Sequence, residues 1–90
     1  MFLGRVVGTV WATKKDHKLE GLKFQIVKKV DQELNLKPDF AIAVDSVGAG
    51  AGELVLCAAG SSARMTPITQ DKPVDTVIMA IVDQVDFDQP

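Results

Sequence analysis

A glycine-rich turn at residues 48–52, followed by an apolar run at residues 53–59, constrains the fold more than any other part of this chain. Glycine can adopt positive φ and lets another backbone come close, so alternating glycines favour a tight turn. The run that follows is apolar at nearly every position, which predicts a strand with protein on both faces. A chain of 90 residues has few elements with which to cover both faces, so we expect a second copy to cover one.

Length and composition are those of one small domain. A domain of this size buries only roughly 60–65% of the surface that its unfolded chain exposes. Hydrophobic residues nevertheless make up 47% of the chain. We therefore expect part of the apolar surface to be buried by association with other copies.

Charge and cysteine content argue against several classes of function. A net charge of −2 gives no attraction to nucleic acid or anionic lipid. The single cysteine, Cys57, cannot form an internal disulfide, which fits a reducing compartment. No apolar run reaches the ~18 residues of a membrane span, and the first residues lack the layout of a secretory signal. We expect a cytoplasmic protein with no membrane partner.

Hydrophobic periodicity predicts five short strands, of which the first two lie before residue 32. In the first strand, Phe2, Val6 and Val10 share one side, and the glycines between them suggest a bend. The second strand covers residues 22–31, where apolar and polar residues alternate so that one face is wet. Its apolar face holds Leu22, Phe24, Ile26 and Val30, and its wet face holds Lys23, Gln25, Lys29 and Asp31.

The remaining three strands follow a turn predicted at residues 37–39 by the Lys-Pro-Asp sequence there. The third strand begins at Phe40 and directs Phe40, Ile42 and Val44 into the core. The fourth covers residues 53–59 and the fifth lies within residues 74–85.

Even spacing of these strands favours a small closed barrel, because closure removes exposed strand edges. Ser61 or Ser62 is expected to cap one short helix that ends near Met65. The fold class is therefore all-β, with five strands and one short helix. Residues 1–86 form the single domain, and residues 87–90 form a short acidic tail that is expected to be frayed.

No set of residues predicts a catalytic, cofactor or metal site. The glycines at residues 48–52 lack the spacing and the following helix of a dinucleotide-binding loop. Ser61 and Ser62 have no base near them in the sequence, because the only histidine, His17, lies in a charged loop. The scattered acids have no second metal ligand at helical or loop spacing.

Arg64 is the most specific polar candidate. It can bind an anion, remain solvated, or pair with an acid such as Asp45 or Asp83, and we favour an ion pair across a subunit boundary. A small enzyme that uses Asp45, Arg64 and Asp83 is the weakest hypothesis, because none of these residues has a paired base.

An OB-like module that binds single-stranded nucleic acid is the alternative function. The barrel pattern and the basic pair Lys28-Lys29 suggest it. Such a surface needs several aromatic platforms and a basic groove, whereas this chain has one tryptophan and a net negative charge. We interpret that tryptophan, Trp11, as a partly buried anchor at the end of the first strand.

Four blocks of sequence carry a family resemblance. They are Gly4-x-Val6-x-Gly8-x-Val10-x-Ala12-Thr13, Asp45-x-Val47-Gly48-Ala49-Gly50-x-Gly52-Glu53-x-Val55-Leu56, Gly60-Ser61-Ser62-Ala63-Arg64, and Pro73-Val74-Asp75 leading to Ile81-Val82-Asp83. In this order they resemble the EutN/CcmL family, the pentameric vertex proteins of bacterial microcompartment shells. The match runs to about Asp86. The departures are Leu54, where some members have tryptophan, and a short tail that puts an extra C-terminal contact in doubt.

The resemblance implies a five-stranded β-barrel related to the OB-fold, assembled as a cyclic pentamer that closes the corners of a polyhedral shell. Its partners would be copies of itself and the hexameric and trimeric proteins of the shell facets, in the cytoplasm. Residues 60–64 would lie around a narrow axial opening, and residues 48–52 and Asp83 near subunit contacts. The fourth and fifth strands would supply apolar ring contacts. The candidate interface or axial residues are Asp45, Gly48, Gly50, Gly52, Gly60, Ser61, Ser62, Arg64 and Asp83.

Overall fold

The computed structural model describes residues 1–88 and contains five β-strands and two 3₁₀ turns. The strands are β1 (Phe2–Val10), β2 (Phe24–Val30), β3 (Leu36–Asp45), β4 (Leu54–Ala59) and β5 (Thr76–Ile81). The 3₁₀ turns cover His17–Leu19 and Gly60–Arg64. Residues 89–90, the end of the predicted acidic tail, lie outside the described part of the chain.

The strands close into a barrel in the order β1-β2-β3-β5-β4, which confirms the predicted five-stranded barrel. Neighbouring strands are antiparallel except for β3 and β5, which run parallel and are paired only through Val44 and Asp45 of β3. Residues 36–43 of β3 therefore pair with β2 on one side and with no described strand on the other.

Two apolar clusters stabilise the barrel. The interior cluster consists of Val6, Val27, Ala43, Ala49, Val55, Cys57 and Ile78. The second cluster consists of Val44, Ala58, Ala63, Val74 and Val77. Because side chains alternate along a strand, the second cluster lies on the outer face of β3, β4 and β5. The 3₁₀ turn Gly60–Arg64 and the segment before β5 contribute to it and so cover this part of the barrel wall within one subunit.

The alternation in β2 and β3 was predicted correctly, but the two faces were assigned the wrong way round. Gln25, predicted to face water, is only 1% exposed, and Val27 on the same face is fully buried. Phe24 is half-buried on the outside, and Phe40 and Ile42 are exposed rather than in the core. A shift of one residue exchanges the two faces of a strand, and the polar Gln25 made the interior face resemble a wet one.

Strand β3 begins at Leu36, so the turn predicted at residues 37–39 is wrong. Pro38 lies in a stretch where the register between β3 and β2 shifts. Proline has no N–H group for an inner ladder, and it is tolerated at bulges and on edges. Here the proline marks an irregular strand rather than a turn.

The connection between β2 and β3 is a tight loop at residues 31–35. The Asp31 carboxylate accepts hydrogen bonds from the backbone N–H groups of Glu33 and Asn35 at 2.8 and 3.0 Å. Hydrogen bonding from the Asn35 backbone, with that from Glu33, lowers the pKa of Asp31. Leu34 takes a left-handed conformation in this loop, with φ of 67°.

Strand β1 bends at a register shift between Val6 and Gly8. Val6 lies in the barrel interior, and beyond the shift Thr9 takes the inward position opposite Gln25. Val10 is consequently turned outward. The prediction that Val6 and Val10 share one face is wrong, because an extra residue at a bulge reverses the alternation.

The short helix predicted after β4 is present as the 3₁₀ turn Gly60–Arg64. The turn His17–Leu19 lies in the charged loop that was predicted around His17. Capping by a serine is wrong, because Ala59 occupies the N-cap position without a side-chain hydrogen bond. Ser62 Oγ instead donates to the Ala59 carbonyl at 2.9 Å.

Candidate subunit interface

Strand β4 is covered almost entirely within one subunit. Val55 and Cys57 lie in the interior cluster, and Ala58 lies in the second cluster on the opposite face. Leu56 is half-buried, and only Ala59 at the end of the strand is exposed. The prediction that β4 needs a second copy to cover both faces is therefore wrong.

Large apolar side chains are exposed instead on the outside of β2 and β3, a surface that we call the β2–β3 face. It consists of Phe40, which is 61% exposed, Ile42, which is 41% exposed, and the half-buried Phe24 and Ile26 beside them. Ile26 lies directly opposite Ile42 in the register of the two strands. Contiguous apolar surface of this kind marks an association site on a small domain.

Sequence reasoning missed the β2–β3 face because it turned these side chains inward. One sequence feature does point the other way. Ala41 and Ala43 alternate with Phe40 and Ile42, and the narrow interior of a small barrel accepts small side chains more easily than large ones.

The glycine-rich loop between β3 and β4 is held by hydrogen bonds at both ends. The Asp45 carboxylate accepts bonds from the N–H groups of Val47 and Gly48 at 3.0 and 2.9 Å, and Glu53 Oε1 accepts one from Gly50 at 2.6 Å. Gly48 and Gly52 have φ of 76° and 82°, a region that favours glycine. Asp45 itself is buried, so it can shape an interface only through this loop.

Gln25 connects the barrel interior to the same loop. Its side-chain oxygen accepts a hydrogen bond from Thr9 Oγ1 at 2.8 Å. Its side-chain nitrogen donates to the Ala49 carbonyl at 2.9 Å and to Asp45 Oδ2 at 3.4 Å. A buried amide must be hydrogen-bonded to avoid a large desolvation cost. Sequence analysis did not identify Gln25 as a positioning residue, since nothing in the sequence distinguishes it from a solvated glutamine.

The turn Gly60–Arg64 presents most of the other candidate residues at the surface. Gly60 has φ of 71° and donates its N–H to the Asp75 carbonyl at 2.8 Å. Ser61, Ser62 and Arg64 are exposed, whereas Ala63 is fully buried. Ala63 packs inside its own subunit, so it is not accessible to another copy.

The structure does not join Arg64 to either acid that was considered as its partner. The Arg64 guanidinium donates to the Val74 carbonyl at 3.1 Å. Within residues 1–88 no Lys or Arg lies within 4 Å of a carboxylate, and His17 Nδ1 lies 3.7 Å from Asp16 Oδ1. Asp83 is exposed just after β5. In the same range, no cluster of three or more His, Cys, Asp or Glu residues could hold a metal ion.

The residues that suggested nucleic-acid binding do not form a groove. Lys28 and Lys29 are consecutive in β2, so their side chains point to opposite faces. The Lys29 ammonium lies 4.8 Å from the centre of the Phe2 ring. Trp11 is 87% exposed, so its interpretation as a partly buried anchor is wrong. Among the described residues, no helix is both long and apolar enough to cross a bilayer.

Comparisons with known proteins place this geometry in a family. The sequence model described as "Ethanolamine utilisation protein EutN/carboxysome" matches residues 1–83. The carboxysome shell vertex protein CcmL of Thermosynechococcus vestitus is 41% identical over 88 residues, which are 98% of this chain and 89% of that protein.

Solved structures agree with the sequence relatives. The structure of Gloeobacter violaceus CcmL superposes with a TM-score of 0.94 at 39% identity, covering 98% of this chain and 91% of that one. The pentameric microcompartment shell protein GrpN from Rhodospirillum rubrum superposes with a TM-score of 0.88 at 37% identity, covering 99% and 100%.

Proposed function

Because this chain belongs to the EutN/CcmL family, we propose that it is a structural shell protein whose pentamers cap the vertices of a polyhedral bacterial microcompartment. The observation that carries this function is the agreement over nearly the whole chain with proteins named as shell vertex proteins, one of them a pentamer. The β2–β3 face supplies apolar surface for association, whereas the outer side of the barrel around Ala58 and Val77 is already covered within the subunit.

The mechanism is geometric. An interface between two different patches of the same chain repeats around an axis and closes into a ring when the rotation per subunit fits. A flat sheet of hexagonal tiles cannot enclose a volume, and five-fold units introduce the curvature that closes it. The angle of the interface then determines function, and no bond chemistry is required of the protein.

Several loop residues are proposed at the ring interface or its axial opening. Gly48, Gly50 and Gly52 belong to the loop fixed by Asp45, and Gly60, Ser61, Ser62 and Arg64 belong to the exposed 3₁₀ turn. Asp83 follows β5 at the surface. These assignments are supported by the accessibility of the residues or by their position in a loop whose shape depends on glycine. Asp45 is the exception among the candidates, because it is buried and acts only through the loop.

The ring is proposed to fit among hexameric and trimeric proteins of the shell facets, without a catalytic or cofactor-dependent role. The named relatives are shell vertex proteins rather than enzymes. A vertex piece needs complementary edges on all five sides, so facet proteins with matching edges are the partners that this function requires.

Native mass spectrometry of the purified chain tests the function first. We expect a five-subunit particle, and a stable monomer at micromolar concentration would overturn the proposal. Co-production with hexameric and trimeric facet proteins then tests vertex capping. Closed polyhedral shells are expected with this chain, and open or leaky assemblies are expected without it.

Arg64→Glu tests the placement of the exposed turn, with Lys14→Glu as a matched charge reversal on an exposed loop. We expect Arg64→Glu to reduce the pentamer fraction more than the melting temperature of the subunit, while Lys14→Glu leaves the pentamer intact. An unchanged pentamer in the Arg64 variant would remove this residue from the interface.

A further inference from the structure

We propose that a cleft beside Trp11 docks a partner protein through a short acidic segment that carries one large apolar side chain. This cleft, which we call the Trp11 cleft, lies between the end of β1 and the start of β2, and its lining includes Val10, Trp11, Lys15, Leu22, Lys23 and Phe24. The inference goes beyond the proposed function, since a ring can cap a vertex without such a partner.

The apolar side of the cleft combines a fixed floor with an open rim. Leu22 and Phe24 are half-buried and pack against the second cluster, so the barrel holds the floor in place. Phe24 lies directly opposite Val10 in the register of β1 and β2. Trp11 follows at the rim and is 87% exposed, more than any other large apolar side chain of the described residues. Tryptophan on a protein surface is typical of an association site, because burying its ring removes a large apolar area from water.

The size of the cleft suits a short peptide segment. Its volume is about 480 Å³, which lies within the roughly 300–1,000 Å³ of pockets that bind small ligands. One large side chain and its neighbours in a peptide therefore fit between the floor and the indole ring.

The polar side of the cleft is positively charged. Its charged residues, among those that the structure describes, are Lys15 and Lys23, and no acid lines it. The Lys15 ammonium donates to the Ala12 carbonyl at 2.9 Å, which holds it beside the cleft. The Lys23 carbonyl accepts from the Asp45 N–H at 2.9 Å, which fixes the backbone there. Since no lysine of residues 1–88 pairs with a carboxylate, both ammonium groups have donors left for carboxylates of a partner.

The charge of the whole chain is distributed unevenly, with its positive end at the cleft. The connection of β1 to β2 (residues 11–23) and that of β4 to β5 (residues 60–75) leave the same end of the barrel, where β1, β3 and β4 end and β2 and β5 begin. These two segments hold six bases and four acids, whereas the rest of the chain holds four bases and eight acids. A field of this kind directs an acidic partner to this end of the subunit.

An acidic peptide fits the cleft better than a single-stranded nucleic acid does. Nucleic-acid grooves stack successive bases on several aromatic side chains. Trp11 is the one exposed aromatic side chain among the described residues that line the cleft. One such anchor is enough for a peptide, because a few buried aromatic residues supply most of the affinity of a protein interface.

Trp11 is the single tryptophan of the chain, so its fluorescence reports on the cleft in the assembled protein. Acrylamide should quench the emission of the native pentamer nearly as well as that of N-acetyltryptophanamide. Emission that is shielded from acrylamide in the pentamer would show that a neighbouring subunit fills the cleft, and it would overturn the proposal.

Peptide binding tests the chemistry of the partner. The probe is a short synthetic peptide with phenylalanine at its centre and two acidic residues on each side. It should shift the Trp11 emission to shorter wavelength in a saturable way, and added salt should weaken its binding. Two control peptides, with amides in place of the carboxylates or serine in place of phenylalanine, should bind at least about tenfold more weakly. Equal binding of the three peptides, no saturable shift at millimolar peptide, or tighter binding of an oligothymidylate each contradicts the proposal.

Variants of the pentamer locate the binding, as measured by the fluorescence anisotropy of a dye-labelled probe. Lys15→Glu and Lys23→Glu should each weaken binding about fivefold, the factor that one exposed ion pair can supply, whereas arginine at either position should preserve it. Lys37→Glu is the matched charge reversal at the opposite end of the barrel and should leave binding unchanged. Trp11→Ala should weaken binding at least about tenfold.

The outcomes separate the cleft from the ring. A Trp11→Ala variant that remains pentameric by native mass spectrometry and binds the probe like the wild type overturns the docking proposal and leaves the proposed function intact. A wild-type chain that stays monomeric and binds the probe overturns the proposed function and supports the cleft.

Discussion

Two apolar surfaces on the outside of the barrel differ in exposure. The part of the β4–β5 wall around Ala58 and Val77 is buried, whereas Phe40 and Ile42 on the β2–β3 face are exposed. The wall is covered on its outer side by the turn Gly60–Arg64 and by Val74, which pack on Ala58 and Val77. No described segment covers Phe40 or Ile42 in the same way. Hydrophobicity therefore predicts which segments are strands, whereas the path of the intervening chain determines which face is left for a partner.

The largest expected effect is on the covered side. Ile78 is fully buried in the barrel interior, so Ile78→Ala should lower the free energy of unfolding by roughly 2–5 kcal/mol through lost contacts and a residual cavity. Chemical denaturation followed by circular dichroism measures it. A loss below about 1 kcal/mol would mean that the interior is less tightly packed than the structure indicates.

A smaller effect on the same side depends on pH. Burial raises the pKa of the Cys57 thiol from 9.0 to about 11. The unfolded chain then loses this proton at lower pH than the folded chain, so the free energy of unfolding should fall between about pH 9 and pH 11, by on the order of 2 kcal/mol. Cys57→Ala should be less sensitive to pH over this range, and identical slopes in the two proteins would contradict the assignment.

Gln25 lies between the two regions, with its amide inside the barrel and its strand under the β2–β3 face. Gln25→Leu leaves the Thr9 hydroxyl and the Ala49 carbonyl without their buried partner, which should cost roughly 1–3 kcal/mol of stability. Hydrogen exchange should also quicken at the N–H groups of Gly48 and Gly50, because the loop loses an anchor. Unchanged exchange there would limit Gln25 to a role in the core.

The exposed side should show the smallest effect on the subunit and a clear one on assembly. Phe40→Ser removes a side chain that is mostly in water in one chain, so the free energy of unfolding of the dissociated subunit should change by within about 0.5 kcal/mol. The pentamer should nevertheless dissociate at a higher concentration, as measured by analytical ultracentrifugation. Ile68→Ser, at an exposed apolar position in a loop that is not assigned to the interface, is the control. Equal pentamer stability in both variants would remove Phe40 from the interface.

Sequence periodicity was sufficient for the number of strands and their approximate positions along the chain, because short apolar segments separated by turns leave few alternatives to a small barrel. It could not assign faces in β2 and β3, since one buried glutamine reversed the apparent polarity. It could not place the bulge after Val6, which depends on pairing with β2. It could not show that Asp45 bonds its own loop, because that depends on φ at Gly48.

Within the candidate interface, the residue types predicted the local turn, but they did not predict which groups its side chains contact. The exposed turn at Gly60–Arg64 was expected from the sequence. Within this chain, Arg64 donates to the Val74 carbonyl. This contact could not be expected from the sequence, because every residue has a backbone carbonyl and the residue type does not identify which one is the acceptor.

The filled interior of the barrel has a consequence for permeability. Aliphatic side chains and the bonded Gln25 amide occupy the space that the strands enclose, so a solute has no route through an individual subunit. A solute that crosses a capped vertex must therefore pass between subunits or along their shared symmetry axis. The loops at these places, rather than the interior of the barrel, would then determine which solutes can pass.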